Sequence, residues 1–346
     1  MISGFAILIA GFFGGYSLWN SANPERTCAS CHEISPSHET WMTSSHRDIA
    51  CFECHGTALS NGLHSLTEKT RMVRTHIAGD GRSDQISLTE AQLIGIMDRC
   101  TGCHQEEYKK WGSGGHSASY ADIFLNEAHN RMEQPYWDCF RCHGMFYEGN
   151  IYDLIDPVSS QGPWKLINEE MESMPVILCS TCHEIHSENT PRMEYGTRED
   201  DSEVFYERKR RNEENHPKAG LYVRADAIFL RADQLPQPGI YTEDREIRVT
   251  QNPLQRVCVQ CHAPDWQHYA GTEDDRTPSG VHEGLACMAC HETHSNDASN
   301  ACVQCHPVIS NCGLDHQAMN TTYHDPGSPN NIHHVKCADC HEEPMR

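Results

Sequence analysis

The chain has 346 residues, a formal charge of −22 and a hydrophobic content of only 38 %. So acidic a surface is repelled by phosphate backbones, which argues against nucleic acid as a partner. Its 19 cysteines and 24 histidines are the residues any reading has to account for first.

In chain order the first feature is an uncharged run, ISGFAILIAGFFGGYSLW, from Ile2 to Trp19. Its length is near the lower end of the ~17–25 residues that span a bilayer as a helix, so residues 1–22 are expected to form a single transmembrane anchor. The rival reading is a cleaved signal peptide, for which a basic n-region is missing and Asn20, Ser21 and Ala22 make a poor cleavage site. Gly11 and Gly15 form a small-xxx-small pair, compatible with a homodimer through the helix and equally with ordinary membrane composition.

Directly after this run begins the pattern Cys-x-x-Cys-His. It recurs as Cys28, Cys31 and His32; Cys51, Cys54 and His55; Cys100, Cys103 and His104; Cys139, Cys142 and His143; Cys179, Cys182 and His183; Cys258, Cys261 and His262; Cys287, Cys290 and His291; Cys302, Cys305 and His306; and Cys337, Cys340 and His341. Random placement of these residue types gives roughly 0.07 copies in a chain of this length. Zinc sites and disulfide scaffolds also use Cys-x-x-Cys pairs, but neither explains a histidine behind each one. The pattern is that of c-type haem attachment, in which both thiols become thioethers and the histidine ligates iron. Nine covalently attached haems are therefore expected, leaving Cys312 as a buried thiol, an intermolecular disulfide partner or an axial thiolate.

Nine haems in so short a chain would fill much of the interior. The expected fold is mainly α with low regular secondary structure, packed around the haems, with the amino-terminal transmembrane helix and a small β insert. Thioether attachment takes place outside the cytoplasm, so the expected location is the cytoplasmic (inner) membrane, single-pass, with the haem domain facing the periplasm or cell exterior.

Fifteen histidines lie outside the motifs, more than the nine needed to give every iron a second imidazole. His46 and His282 each stand five residues before a motif cysteine, and His333 and His334 stand just before Cys337 as alternatives for one site. His186 and His294 each follow a motif histidine by three, in the similar units CSTCHEIHS and CMACHETHS. On a short helix a residue three places on shares the face of the first, so each of these two should serve a neighbouring haem. His116 and His129 complete the set of candidate distal ligands; His38, His64, His76, His216, His268, His316 and His324 are weaker candidates, with an exposed loop histidine as the plain reading.

Residues 1 to 110 resemble the NapC/NrfH family of membrane-anchored quinol dehydrogenases. The resemblance is carried by the amino-terminal helix, the haem site directly after it, the run Ser45-His46 before Cys51, and EKTRMVRTHIAGD from Glu68 to Asp80. It implies oxidation of quinol from the membrane pool near the first haem and delivery to a periplasmic or membrane redox partner. In that family the first haem takes a methionine two places after its histidine; here Ile34 stands there. Met72 becomes the candidate ligand, with Met42 the other nearby thioether; failing both, the first iron is five-coordinate or takes a histidine from elsewhere. Lys69, Arg71 and Arg74 could bind quinol oxygen or face anionic lipid.

Farther on, KKWGSGGHSAS around His116 and NEAHNRM around His129, with Tyr108 and Trp111, resemble tetrahaem cytochromes linked to hydroxylamine oxidoreductase. NPLQRVCVQCH and HEGLACMACH are similar to the multihaem nitrite-reductase and hydroxylamine-oxidoreductase superfamily. The likeness implies a shared haem-packing core rather than shared catalysis, since the Cys-x-x-Cys-Lys of many nitrite reductases does not occur here.

The resulting organisation is an anchor (1–22), a NapC/NrfH-like haem region (23–110), a further haem region (111–186), a haem-free insert (187–257) and a four-haem region (258–346). In the insert, Arg198 to Asn215 is a charged, solvated segment, while GLYVRADAIFL and REIRVT alternate as short strands. Asp265, Glu273, Asp274 and Asp275 form an acidic loop that is simply solvated or holds calcium. The expected function is electron transfer from membrane quinol by a nonahaem cytochrome c, with quinol dehydrogenase activity. The alternatives are a multihaem reductase of a nitrogen or sulfur oxyanion and a surface or filament conduit for extracellular electron transfer.

Overall fold

The computed structural model describes residues 2–22, 29, 31–32, 34–56, 70, 73–74, 76–77, 88–131, 133–135, 139–147, 149–157, 161–183, 239–242, 245–252, 254–262, 275–295, 297–298, 301–306 and 332–336. Met72, His186, Cys312, the segment 198–215 and the strand expected over GLYVRADAIFL lie outside these residues. More than half of the described residues are helical. The expectation of low regular secondary structure is thus corrected: each Cys-x-x-Cys-His site needs a helical turn to bring its three side chains together, so a chain with many sites accumulates many short helices.

The elements are α1 (Ile2–Ala22), α2 (Ser35–Thr43), α3 (Cys51–His55), α4 (Glu90–Cys100), α5 (Gln105–Ser113), α6 (Tyr120–Phe124), α7 (Glu127–Asn130), α8 (Cys139–Cys142), α9 (Ile151–Leu154), the strands β1 (Ile155–Pro157) and β2 (Trp164–Leu166), α10 (Cys179–Cys182), β3 (Tyr241–Thr242), β4 (Arg245–Glu246), α11 (Gln255–His262) and α12 (Ala301–Cys305). Single 3-10 turns stand at Gly115–Ser117, Glu169–Met171, Gly280–His282, Cys287–Ala289 and Ile332–His334.

α1 is a helix, but among the described residues no helix is long and apolar enough to cross a membrane. Gly4, Gly11, Gly14, Gly15 and Ser17 interrupt the apolar side chains of α1. The expected transmembrane anchor, and with it the single-pass inner-membrane location, is corrected on this finding. α1 packs instead against α3, the turn of the second Cys-x-x-Cys-His site.

α4 begins with a capping box: the Gln92 amide donates to Thr89 Oγ1 (3.3 Å) and the Thr89 amide to Gln92 Oε1 (2.8 Å). Its buried face carries Leu93 and Met97, which pack with Met145, Phe146 and Leu178. The guanidinium of Arg99 donates to the carbonyl of Cys54 at 3.0 Å and so ties α3 to the end of α4.

A core of ordinary side chains is built from residues on both sides of the fourth site and from within it. Tyr120, Phe124, Phe140, Ile151, Leu154, Ile155, Trp164, Leu166, Met171 and Val176 form it, under the antiparallel hairpin β1–β2 in which Ile155 faces Leu166. The Tyr120 hydroxyl donates to Glu90 at 2.6 Å, linking this core to α4. Gly144, at φ +100°, passes so close to Tyr120 that a Cβ would stand 2.6 Å from the hydroxyl, which requires glycine on both counts. The sequence reading expected porphyrin rather than side chains in the interior, and a β element only within 187–257; this hairpin lies outside that range.

Within 239–259, β3 and β4 pair antiparallel and cover Ile240, Ile247 and Val259. The Arg245 guanidinium holds Glu283 through two hydrogen bonds of 3.0 and 2.7 Å, and the Arg248 amide donates to the same carboxylate at 2.6 Å. These bonds, the Arg245 one foremost, pull the Glu283 carboxyl down to about 2.

Candidate functional site of paired histidines

At each described motif the backbone makes the same turn. The histidine amide donates to the carbonyl of the first cysteine at His104 (2.9 Å), His143 (2.8 Å), His183 (2.9 Å), His291 (2.9 Å) and His306 (2.7 Å). An i, i+3, i+4 spacing on such a turn puts both thiols and the imidazole on one face. No disulfide joins the described cysteines, which leaves the disulfide-scaffold reading without support among them.

The motif histidines do not stand alone. His104 faces His46 with ring centroids 6.1 Å apart, His262 faces His116 at 6.1 Å, His183 faces His294 at 6.1 Å, His306 faces His282 at 6.4 Å and His291 faces His333 at 6.1 Å. Five of the eight histidines expected as distal ligands are thus each brought to a motif histidine. The rings are nearly parallel in the pairs of His183 (12°) and His291 (10°), close to perpendicular in those of His104 (70°) and His306 (78°), and at 44° in that of His262.

The remaining candidates divide. His129 is exposed on α7, and no motif histidine among the described residues faces it. His334 receives or gives a hydrogen bond of 3.2 Å between Nδ1 and Ser279 Oγ, and its Nε2 is buried with no hydrogen-bond partner. At the first site His32 lies 5.3 Å from His76, centroid to centroid. Sequence reasoning placed His76 among the weaker candidates and looked to Met72 or Met42; Met42 is exposed. The signal that could have found His76 was its place in EKTRMVRTHIAGD, four residues beyond Met72 on the same expected helix.

Haem fits this arrangement on several counts. Metal–imidazole bonds are ~2.0–2.1 Å long, and adding half of each ring puts two imidazoles on opposite faces of one metal about 6 Å apart. His282 Nδ1 lies 3.0 Å from the carbonyl of Ile332. Donation to that carbonyl leaves Nε2 as the bare nitrogen, the second-shell arrangement usual behind a metal-bound histidine. Burial, foremost, pushes His116 and His183 down, and pushes His333 down to about 4, so these rings are neutral and able to ligate near pH 7. Among the described residues no three histidines, cysteines or carboxylates gather as the ligand set of a bare metal ion; a porphyrin supplies four of its iron's ligands and asks the protein for only two. Of the acidic loop considered for calcium, Asp275 is the described member, and its carboxylate accepts from the Thr277 amide at 2.8 Å.

The sites are also neighbours of one another. α3 packs on α4, and α4 on α10, joining the second, third and fifth sites. α8, of the fourth site, packs on α11, of the sixth. Cys179 and Cys261 lie against the same apolar cluster, which brings the fifth and sixth sites together, and burial together with Cys258 pushes the Cys182 thiol up to about 11. From α11 the buried Gln255 accepts the Cys287 amide at 3.0 Å, and the Cys258 and Cys287 thiols hydrogen-bond, joining the sixth and seventh sites. Cys290 is close enough to Cys302 and Cys305 to feel both, which adds the eighth.

Comparisons with protein-family models, with curated proteins and with solved structures return no match for this chain. The arrangement of histidines and thiols is therefore read on its own chemistry.

Proposed function

We propose that the chain is a nonahaem c-type cytochrome whose activity is electron transfer. The observation that carries this reading is the set of five motif histidines, each faced by a second histidine at 6.1–6.4 Å. Each such pair would hold a haem iron by two imidazoles and leave it no place for a substrate, which favours transfer over reduction of an oxyanion at those sites. When bound, haem supplies the one-electron couple; the residues of this chain fix its axial ligands, exposure and neighbours. The contiguity of the second, third, fifth, sixth, seventh and eighth sites supports a continuous path, with the fourth joining at α11. On the resemblance of residues 1 to 110, quinol is the proposed donor at the first site and a separate redox protein the acceptor.

Mass spectrometry of the mature protein tests the cofactor, with nine haem adducts expected and far fewer overturning the proposal. A redox titration with and without a quinol analogue tests the donor. A shift in one haem's midpoint supports quinol, and nine unchanged midpoints remove it while leaving electron transfer standing.

A further inference from the structure

Two of the histidine pairs cross between distant parts of the chain. His116, from the amino-terminal half, faces His262 of the sixth site, while His294, from the carboxy-terminal half, faces His183 of the fifth. The two loops that deliver these histidines touch each other. Lys110, on α5, reaches Glu292 Oε1 at 3.1 Å. The other oxygen of Glu292 accepts the amides of His294 (3.1 Å) and Ser295 (2.7 Å) and the Ser295 hydroxyl (2.8 Å), shaping the loop that holds His294. Gly114, which caps α5 and leads into the turn of His116, lies so close that a Cβ there would stand 2.5 Å from the Ser295 carbonyl oxygen and 2.8 Å from its carbon.

We propose that this contact is a clasp through which the two haem-bearing regions complete each other's haems. His294 is the second axial ligand at the fifth site, His116 the second at the sixth, and Gly114 with Glu292 are the positioning residues that seat both. The inference rests on the haem reading above and deepens it, because electrons then cross between the regions at the fifth and sixth sites without using residues 187–257. An exposed Lys–Glu pair contributes little by itself. The backbone approach at Gly114 is the part that cannot be rebuilt by moving a flexible side chain.

The test uses the holoprotein with Gly114→Ala, and with Gly112→Ala as control, since a Cβ at Gly112 meets nothing within 4 Å on the same helix. Electron paramagnetic resonance and absorption spectra are expected to show two of the haems turning high-spin or shifting in Gly114→Ala and none in Gly112→Ala. His294→Met and His116→Met provide a second measurement that decides the matter if Gly114→Ala fails to accumulate. Each should convert a single haem to the methionine-ligated form, with its charge-transfer band and a raised midpoint. A Gly114→Ala protein with the parental low-spin spectrum, or methionine variants in which every haem keeps its parental signal, would overturn the clasp. A parent molecule lacking nine haems would instead overturn the cofactor reading, so the two failures are told apart by mass spectrometry of the parent.

Discussion

Single residues here act chiefly by satisfying a partner on another segment. Glu283 is the clearest case, its carboxylate held by Arg245 and by the Arg248 amide. A carboxyl depressed to about 2, against ~4.3 in an unfolded chain, stabilises the fold above that ordinary value and loses the contribution as pH falls through about 2. Replacement by glutamine should lower the unfolding midpoint at neutral pH, and the gap from the parent should close between about pH 4 and pH 2; a gap of constant size across that window would contradict the assignment. Gln255, only 3 % exposed, accepts the amide that opens the seventh site. Gln255→Leu strands that donor in the interior, at a cost of about 1–3 kcal/mol readable in the thermal midpoint of the holoprotein. The Cys-x-x-Cys-His motifs were legible in the sequence because each is contained in five consecutive residues. Of the histidines that face a motif histidine, His46, His282, His294 and His333 were legible because each stands within five residues of a motif. His76 was not, because its pairing with His32 is decided by how two segments fold back on each other.

At the scale of elements, short helices dominate among the described residues, and α3, α8, α10, α11 and α12 each carry a Cys-x-x-Cys pair. α4 is the longest of the described helices after α1, and its capping box gives it a defined start. Thr89→Ala should destabilise it by ~1 kcal/mol, seen as faster amide exchange in its first turn. The core of α6, α8, α9 and the β1–β2 hairpin is a different kind of object, held by aromatic and aliphatic packing. Phe124, 1 % exposed, sits at its centre beside Tyr120, Phe140 and Trp164. Phe124→Ala is expected to cost about 3–5 kcal/mol, measured as a lowered denaturation midpoint with the haem content unchanged. This core escaped the sequence reading for a physical reason. Its members come from segments of three to five residues, too short to show a helical or strand period, and they meet only through tertiary packing. The strand expected over 245–250 is matched by pairing at Arg245 and Glu246, where the Arg245–Glu283 contact anchors it.

Across the whole molecule two sources of cohesion coexist: the side-chain core of residues 120–176 and the network of paired histidines. They should separate experimentally. With the motif cysteines replaced so that no haem attaches, limited proteolysis is expected to spare a fragment spanning about residues 118–178 while the flanking sites are cut; uniform digestion would show that the core depends on haem as well. The spacing of the Cys-x-x-Cys-His motifs leaves residues 187–257 without one, but that spacing gave no sign that His116 meets His262 or that His183 meets His294. The ring orientations carry one more consequence. Imidazoles whose planes align split the iron d orbitals strongly, whereas crossed planes leave two of those orbitals nearly equal in energy. If the proposed haems are held by these pairs, chromophores of identical covalent make-up would fall into magnetically distinct kinds, those held at His183 and His291 in one and those held at His104 and His306 in another, a fingerprint written by backbone folding alone.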